Sequence, residues 1–221
     1  MTQTLNIKHH LTDQILAGYS AGQLSEAADL LVAAHLSMCD QCRATSESYD
    51  ALGGALLEGD ALSIAASPMS DDSLAATLAL IQSAPAPEKP KKPRKRELPA
   101  PVCDYIGGDV DDIRWSAVGM GVKQSKLVSS SEATARLLFI PAGVAVPHHG
   151  HHGQELTLVL KGAFTDETDH FGPGDVEIAD EHLEHTPVAD TSADCICLAV
   201  TDASLKFKTL LPRLIQPFIG I

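Results

Sequence analysis

The first third of the chain carries a helical pattern. Apolar residues recur at three- and four-residue intervals from Leu11 to about Gln82, and Ala28, Leu31, Val32, His35 and Leu36 form one such stripe. Thr12 and Ser25 stand where N-caps belong, so helices are predicted to begin just after them. A further helix is expected from about Asp40 toward Leu57, and another, capped by Ser70, presents Leu74, Leu78 and Ile81 on one face. After Val102 the period changes. Short β-type runs at 135–140, 155–160, 175–178 and 195–201, punctuated by Gly-Gly, Pro-Ala-Gly and Pro-Gly-Asp turns, predict a small antiparallel sandwich or barrel.

Residues 84–101 fit neither pattern. Prolines at short intervals forbid a continuous helix, so the segment is expected to be an extended linker. The chain thus divides into a helical unit at 1–84, a Pro/Lys/Arg-rich linker at 85–101 and a β unit at 102–221, which suits a length of 221 residues. Aromatic content is only 4%, so both cores must be built from Ala, Leu, Val and Ile.

Charge is distributed unevenly. Residues 89–96 hold six of the sixteen Lys and Arg, and removing them from the formal net charge of −13 leaves −19 on the rest. Surfaces that acidic repel DNA phosphates and favour a basic protein partner. The basic run lacks a recognition element, so direct DNA binding is not expected. No apolar run reaches the length of a membrane span and no secretion signal is visible, so a soluble, cytoplasmic protein is expected.

Five cysteines, an odd number, argue for thiols and metal ligands over a disulfide framework. Cys39 and Cys42 have Cys-x2-Cys spacing, and His35 precedes Cys39 by one helical turn. Two thiolates and one imidazole leave a tetrahedral zinc ion one ligand short, and His10 or its neighbour His9 is the expected fourth. Cys195 and Cys197 face the same way on a strand, as a core pair or an oxidisable pair. Cys103 has no visible partner.

A second set lies further on. His149, His151 and Glu155 share parity, so one continuous strand would point all three to the same side, with Thr157 and Val159 lining the same interior. His185 would close the site from a neighbouring strand. Three imidazoles and a carboxylate suit zinc, iron, manganese or nickel.

The stretch Gly143-x5-His149-x-His151-x3-Glu155-x6-Gly162 resembles the first cupin motif, and Gly174-x5-Asp180-x-His182-x2-His185 has the length of the second. Asp180, His182 and Ala189 replace the usual Pro, Gly and Asn there. His10 with His35-x3-Cys39-x2-Cys42 resembles the zinc-binding domain of zinc-containing anti-sigma factors. The combination looks like the ChrR family of bacterial anti-sigma factors over nearly the whole chain.

The resemblance implies an α-then-β protein, a zinc-binding helical bundle followed by one cupin β-barrel of the double-stranded β-helix or jelly-roll type. It implies zinc on His10, His35, Cys39 and Cys42, and zinc or another divalent transition metal on His149, His151, Glu155 and His185. It also implies sequestration of a group IV, or extracytoplasmic-function, sigma factor as a 1:1 heterodimer. Release would follow when the cupin responds to an oxidative signal such as singlet oxygen, and no catalysis is involved. A cupin dioxygenase or isomerase carrying an N-terminal zinc module is the alternative. The two units, joined by the linker, are expected to act separately.

Overall fold

The structure, a computed structural model, describes residues 5–58, 69–85, 96–203 and 205–207. Most of the expected linker, including all of its basic run but Arg96, lies outside the described residues.

Among the described residues five α-helices come first: α1 (Asp13–Ser20), α2 (Glu26–Met38), α3 (Asp40–Glu58), α4 (Ser73–Ser83) and α5 (Ala100–Ile106). Thr12 Oγ1 accepts the N–H of Ile15 at 3.3 Å and Ser25 Oγ that of Ala28 at 3.4 Å, so both act as the expected N-caps. Ser70 does not. Its hydroxyl meets that of Ser73 at 2.8 Å, and α4 starts only at Ser73 without a side-chain cap. α5 begins inside the segment expected to be extended. Pro99 is its N-cap, and Pro101 sits in the first turn, where a missing N–H leaves no hydrogen bond unmade.

Among the described residues twelve strands follow: β1 (Ser116–Gly119), β2 (Val122–Ser129), β3 (Thr134–Ile140), β4 (His149–His151), β5 (Glu155–Lys161), β6 (Phe164–Thr165), β7 (His170–Phe171), β8 (Val176–Ala179), β9 (Glu184–His185), β10 (Val188–Ala189), β11 (Cys195–Thr201) and β12 (Leu205–Phe207). One antiparallel sheet runs β1-β2-β3-β11-β5-β8, and two small sheets, β10-β6-β7 and β12-β4-β9, complete the barrel. The expected single continuous strand through His149, His151 and Glu155 does not form. β4 and β5 belong to different sheets, because the chain bends at His152 and Gly153, just before Asp202 Oδ1 accepts the N–H of Gln154 at 2.8 Å.

Both faces of the large sheet are apolar, and period-2 alternation sorts them. Ile140, Val159, Cys195 and Cys197 point into the barrel against Phe164, Phe171 and Ala189 of the β10-β6-β7 sheet. Leu137, Leu156, Leu158, Leu160, Ile196, Leu198 and Val200 point outward and pack in one cluster with Leu16, Leu30, Leu31 and Val32 of α1 and α2. The helical unit is therefore not independent of the barrel. Undocked, those outward leucines would form an exposed patch on the sheet, so α2 and the sheet share one core. α5 adds a polar tie, with Tyr105 Oη donating to Glu26 Oε1 at 2.9 Å.

Candidate metal centres

The first centre forms where α2 ends. His35 lies on its buried stripe, Cys39 is its C-cap in extended backbone, and Cys42 falls in the first turn of α3. Cys39 Sγ accepts the N–H of Cys42 at 3.4 Å, so the start of α3 already favours negative charge on that sulfur. His10 Nδ1 stands 3.4 Å from Cys39 Sγ and 3.5 Å from Cys42 Sγ. One ligand atom from each of His10, His35, Cys39 and Cys42 lies within 4.8 Å of the others.

His9 turns away. Its ring packs on Phe171 with centroids 4.4 Å apart and its Nε2 meets Asp169 at 3.1 Å. His35 Nδ1 donates to the carbonyl of Gly174 at 2.9 Å, while its Nε2 is buried without a hydrogen-bond partner. A buried nitrogen left unpaired beside two thiols is what a bound cation satisfies. Burial pulls the His35 imidazole down to about 4, which keeps it neutral and able to ligate. Burial and the neighbouring Cys39 push the Cys42 thiol up to about 11, so a cation entering this site displaces a proton.

The second centre joins two strands. β4 pairs with β9 so that His149 stands directly opposite His185. Nε2 of His185 lies 3.2 Å from Nε2 of His149 and 3.3 Å from Nε2 of His151. The other ring nitrogens face outward onto fixed groups. His149 Nδ1 donates to the Pro147 carbonyl at 2.8 Å, and His151 Nδ1 faces Glu155 Oε2 at 3.6 Å. His185 Nδ1 is 2.9 Å from both Asp166 Oδ2 and Glu177 Oε1. Three imidazoles with convergent Nε2 atoms, two of them hydrogen-bonded through Nδ1 and the third turned to the Glu155 carboxylate, match the geometry of a metal site.

The structure brings together His149, His151 and His185. Glu155 is buried beside them, its carboxylate turned to His151 Nδ1 and accepting from Thr157 Oγ1 at 3.1 Å. Burial raises the Glu155 carboxyl, and His185 and the buried Arg136 of β3 oppose that rise. Burial lowers His149 to about 3. His185 goes the other way. Burial works against its protonation, yet Glu177 and Asp166 hold it up at about 9, so without a cation it is an imidazolium between carboxylates. Burial pushes Glu177 up to about 7.

Asp166, Glu177, Arg136 and Asp175 were not among the expected site residues. Glu177 had a signal, a lone acid inside the apolar run Val176-Glu177-Ile178-Ala179. Asp166 had none. The remaining thiols are spoken for by packing. Cys195 and Cys197 sit in the barrel core with sulfurs 3.4 Å apart, and Cys103 is buried against the Leu98 carbonyl at 3.4 Å.

Comparison with known proteins covers both the helical unit and the barrel. Residues 105–204 match the model of the ChrR cupin-like domain. The anti-sigma-E factor ChrR of Cereibacter sphaeroides is 53% identical over 220 residues, covering 98% of this chain and 100% of that protein. This chain belongs to the ChrR family of anti-sigma factors. The crystal structure of Rhodobacter sphaeroides SigE in complex with the anti-sigma ChrR aligns with 89% of this chain and 100% of that one, at 51% identity and a TM-score of 0.76. The second centre falls inside the matched cupin segment, and the first lies before it.

Proposed function

We infer that this chain is an anti-sigma factor that holds a sigma factor of the extracytoplasmic-function, σE-like class in a 1:1 complex. It releases that partner when the barrel's metal site changes. The observation that carries this reading is an apolar face left uncovered on the helical unit. Leu74, Leu78 and Ile81 of α4 are 70%, 47% and 65% exposed, and Leu52, Leu56 and Leu57 of α3 are exposed as well. Isolated apolar residues at a surface are ordinary, whereas two helices that leave their leucine stripes open are shaped for a partner. The relative of known name and the SigE complex supply the class of that partner. Apart from the basic run the chain is strongly acidic, which complements a protein whose DNA-facing surfaces are basic.

His10, His35, Cys39 and Cys42 form the proposed zinc set, two thiolates and two imidazoles in the closed combination of a structural site. His149, His151 and His185 are the proposed ligands for zinc or another divalent transition metal in the barrel, with Glu155 the fourth once its carboxylate rotates from His151 Nδ1. A cation at the first set would tie the start of the chain to the α2–α3 junction. The division into a sigma-binding unit at 1–84, a linker at 85–101 and a sensing unit at 102–221 is part of the proposal, as are a cytoplasmic location and an oxidative signal. Among the described residues no helix is long and apolar enough to cross a membrane. The dioxygenase or isomerase alternative is not favoured, because the family is one of regulators.

A tagged full-length chain expressed in its host should co-purify with one small sigma factor in stoichiometric amount. Leu78→Asp together with Ile81→Asp should abolish that capture while leaving the fold intact. Undiminished capture by the double variant would contradict the assigned face.

A further inference from the structure

One turn of the barrel touches both metal centres. Residues 172–177 run from the end of β7 into β8, and β8 is fixed to β5 through the Thr157–Glu177 and Leu158–Val176 pairs. At its far end, Glu177 Oε1 holds His185 Nδ1 at 2.9 Å. At its near end it grips the segment that carries His10. Asp175 Oδ1 accepts the N–H of Lys8 at 2.6 Å and that of His9 at 2.9 Å, and Val176 donates its own N–H to the His9 carbonyl at 3.1 Å. The Gly174 carbonyl accepts His35 Nδ1 at 2.9 Å.

The barrel therefore orients the His35 imidazole and holds the backbone that leads into His10. The fit at Gly174 is close. Its φ is +93°, and a Cβ there would stand 2.6 Å from Ile7 Cδ1, so the turn is shaped to receive the N-terminal segment. The turn is also stiff, since Gly174 N–H donates to the Val159 carbonyl at 2.8 Å and Val159 N–H to that of Asp175 at 3.0 Å.

We propose that residues 172–177 couple the two centres, with Glu177 positioning the barrel histidine His185 while Asp175, Val176 and Gly174 position His10 and His35. A cation in the barrel fixes His185, and with it Glu177 and the register of β8. Loss of that cation leaves His185 held by Asp166 and Glu177 alone, and any shift of these three reaches Lys8, His9 and His35 through four hydrogen bonds in unbroken contact. What the coupling is for rests on the anti-sigma reading. That it exists rests on these contacts alone.

The test uses the zinc-loaded full chain without any sigma factor and reads the rate at which iodoacetamide alkylates Cys39 and Cys42, by peptide mass spectrometry. Emptying the barrel site with His149→Ala should speed alkylation on the order of tenfold, the lower end of what a lost supporting contact does to metal affinity. In Asp175→Ala the rate should already be raised and should respond little to adding His149→Ala. Asp175→Asn, which keeps an acceptor for the Lys8 and His9 N–H groups, should restore the response. If Asp175→Ala does not fold, Lys8→Pro removes one donor from the same clamp. Equal rates with the barrel site filled and empty would overturn the proposal, as would a full response in both clamp variants. Failure to capture a sigma factor would contradict the functional reading and leave this result standing.

Discussion

His35 donates from Nδ1 to the carbonyl oxygen of Gly174, a residue 139 positions further along the chain, at 2.9 Å. One nitrogen of a proposed zinc ligand is thus held by the backbone of the other unit. The helical unit and the barrel meet through this bond, a shared apolar cluster and the clamp at Asp175.

The shared cluster should make unfolding cooperative across the whole chain. Leu198 is fully buried where the outer face of β11 meets α2. Leu198→Ala should cost about 2–5 kcal/mol, and the loss should appear equally in probes placed in either unit. Differential scanning calorimetry with site-specific probes checks this. Two separate transitions, only one of them shifted, would mean independent units.

Supporting carboxylates should control the barrel metal. Glu177→Gln and Asp166→Asn each remove a charge from His185 Nδ1 and should weaken metal binding by about 10–100-fold in chelator competition. The affinity of the His/Cys set for its own metal should change less.

That expectation marks what the sequence could and could not convey. Spacing singled out His35, Cys39, Cys42, His149 and His151, because side-chain type and short separation are local, whereas His185 came from the motif resemblance. Helix starts at Thr12 and Ser25 were legible for the same reason. Between His9 and His10 the choice required tertiary contact, the Phe171 ring that draws His9 away. Parity placed His149, His151 and Glu155 on one strand, and the bend tied by Asp202 divided it. Docking of α2 on the barrel was hidden, since parity turns Leu156, Leu158 and Leu160 away from the site without telling what covers them.

Removing the proposed zinc thiolates should abolish partner capture. Cys39→Ala or Cys42→Ala should lose one equivalent of metal and lose sigma binding, because the α2–α3 junction is no longer fixed to the start of the chain. Metal content by chelator release, paired with pull-down, tests both together. Full inhibition by a metal-free double variant would contradict the role of the site.

Acid should loosen the joint that precedes the barrel. Burial alone would raise the Asp109 carboxyl, but the N–H groups of Glu97, Val110 and Leu98 outweigh it and hold it below the ordinary 3.8. The folded form therefore binds this proton less readily than the unfolded one. The stability it supplies is complete above that ordinary value and is lost as pH falls through the lowered one. Melting temperatures of wild type and Asp109→Asn should differ near neutral pH and converge as the pH falls below the ordinary 3.8.

The most direct measurement is run-off transcription from a σE-type promoter with core polymerase and a fixed amount of the cognate sigma factor, titrated with the purified metal-loaded chain. Transcription should fall in proportion and stop at one molar equivalent, while transcription driven by the housekeeping sigma factor continues. Transcription that persists at a large excess of the intact chain would contradict the anti-sigma assignment.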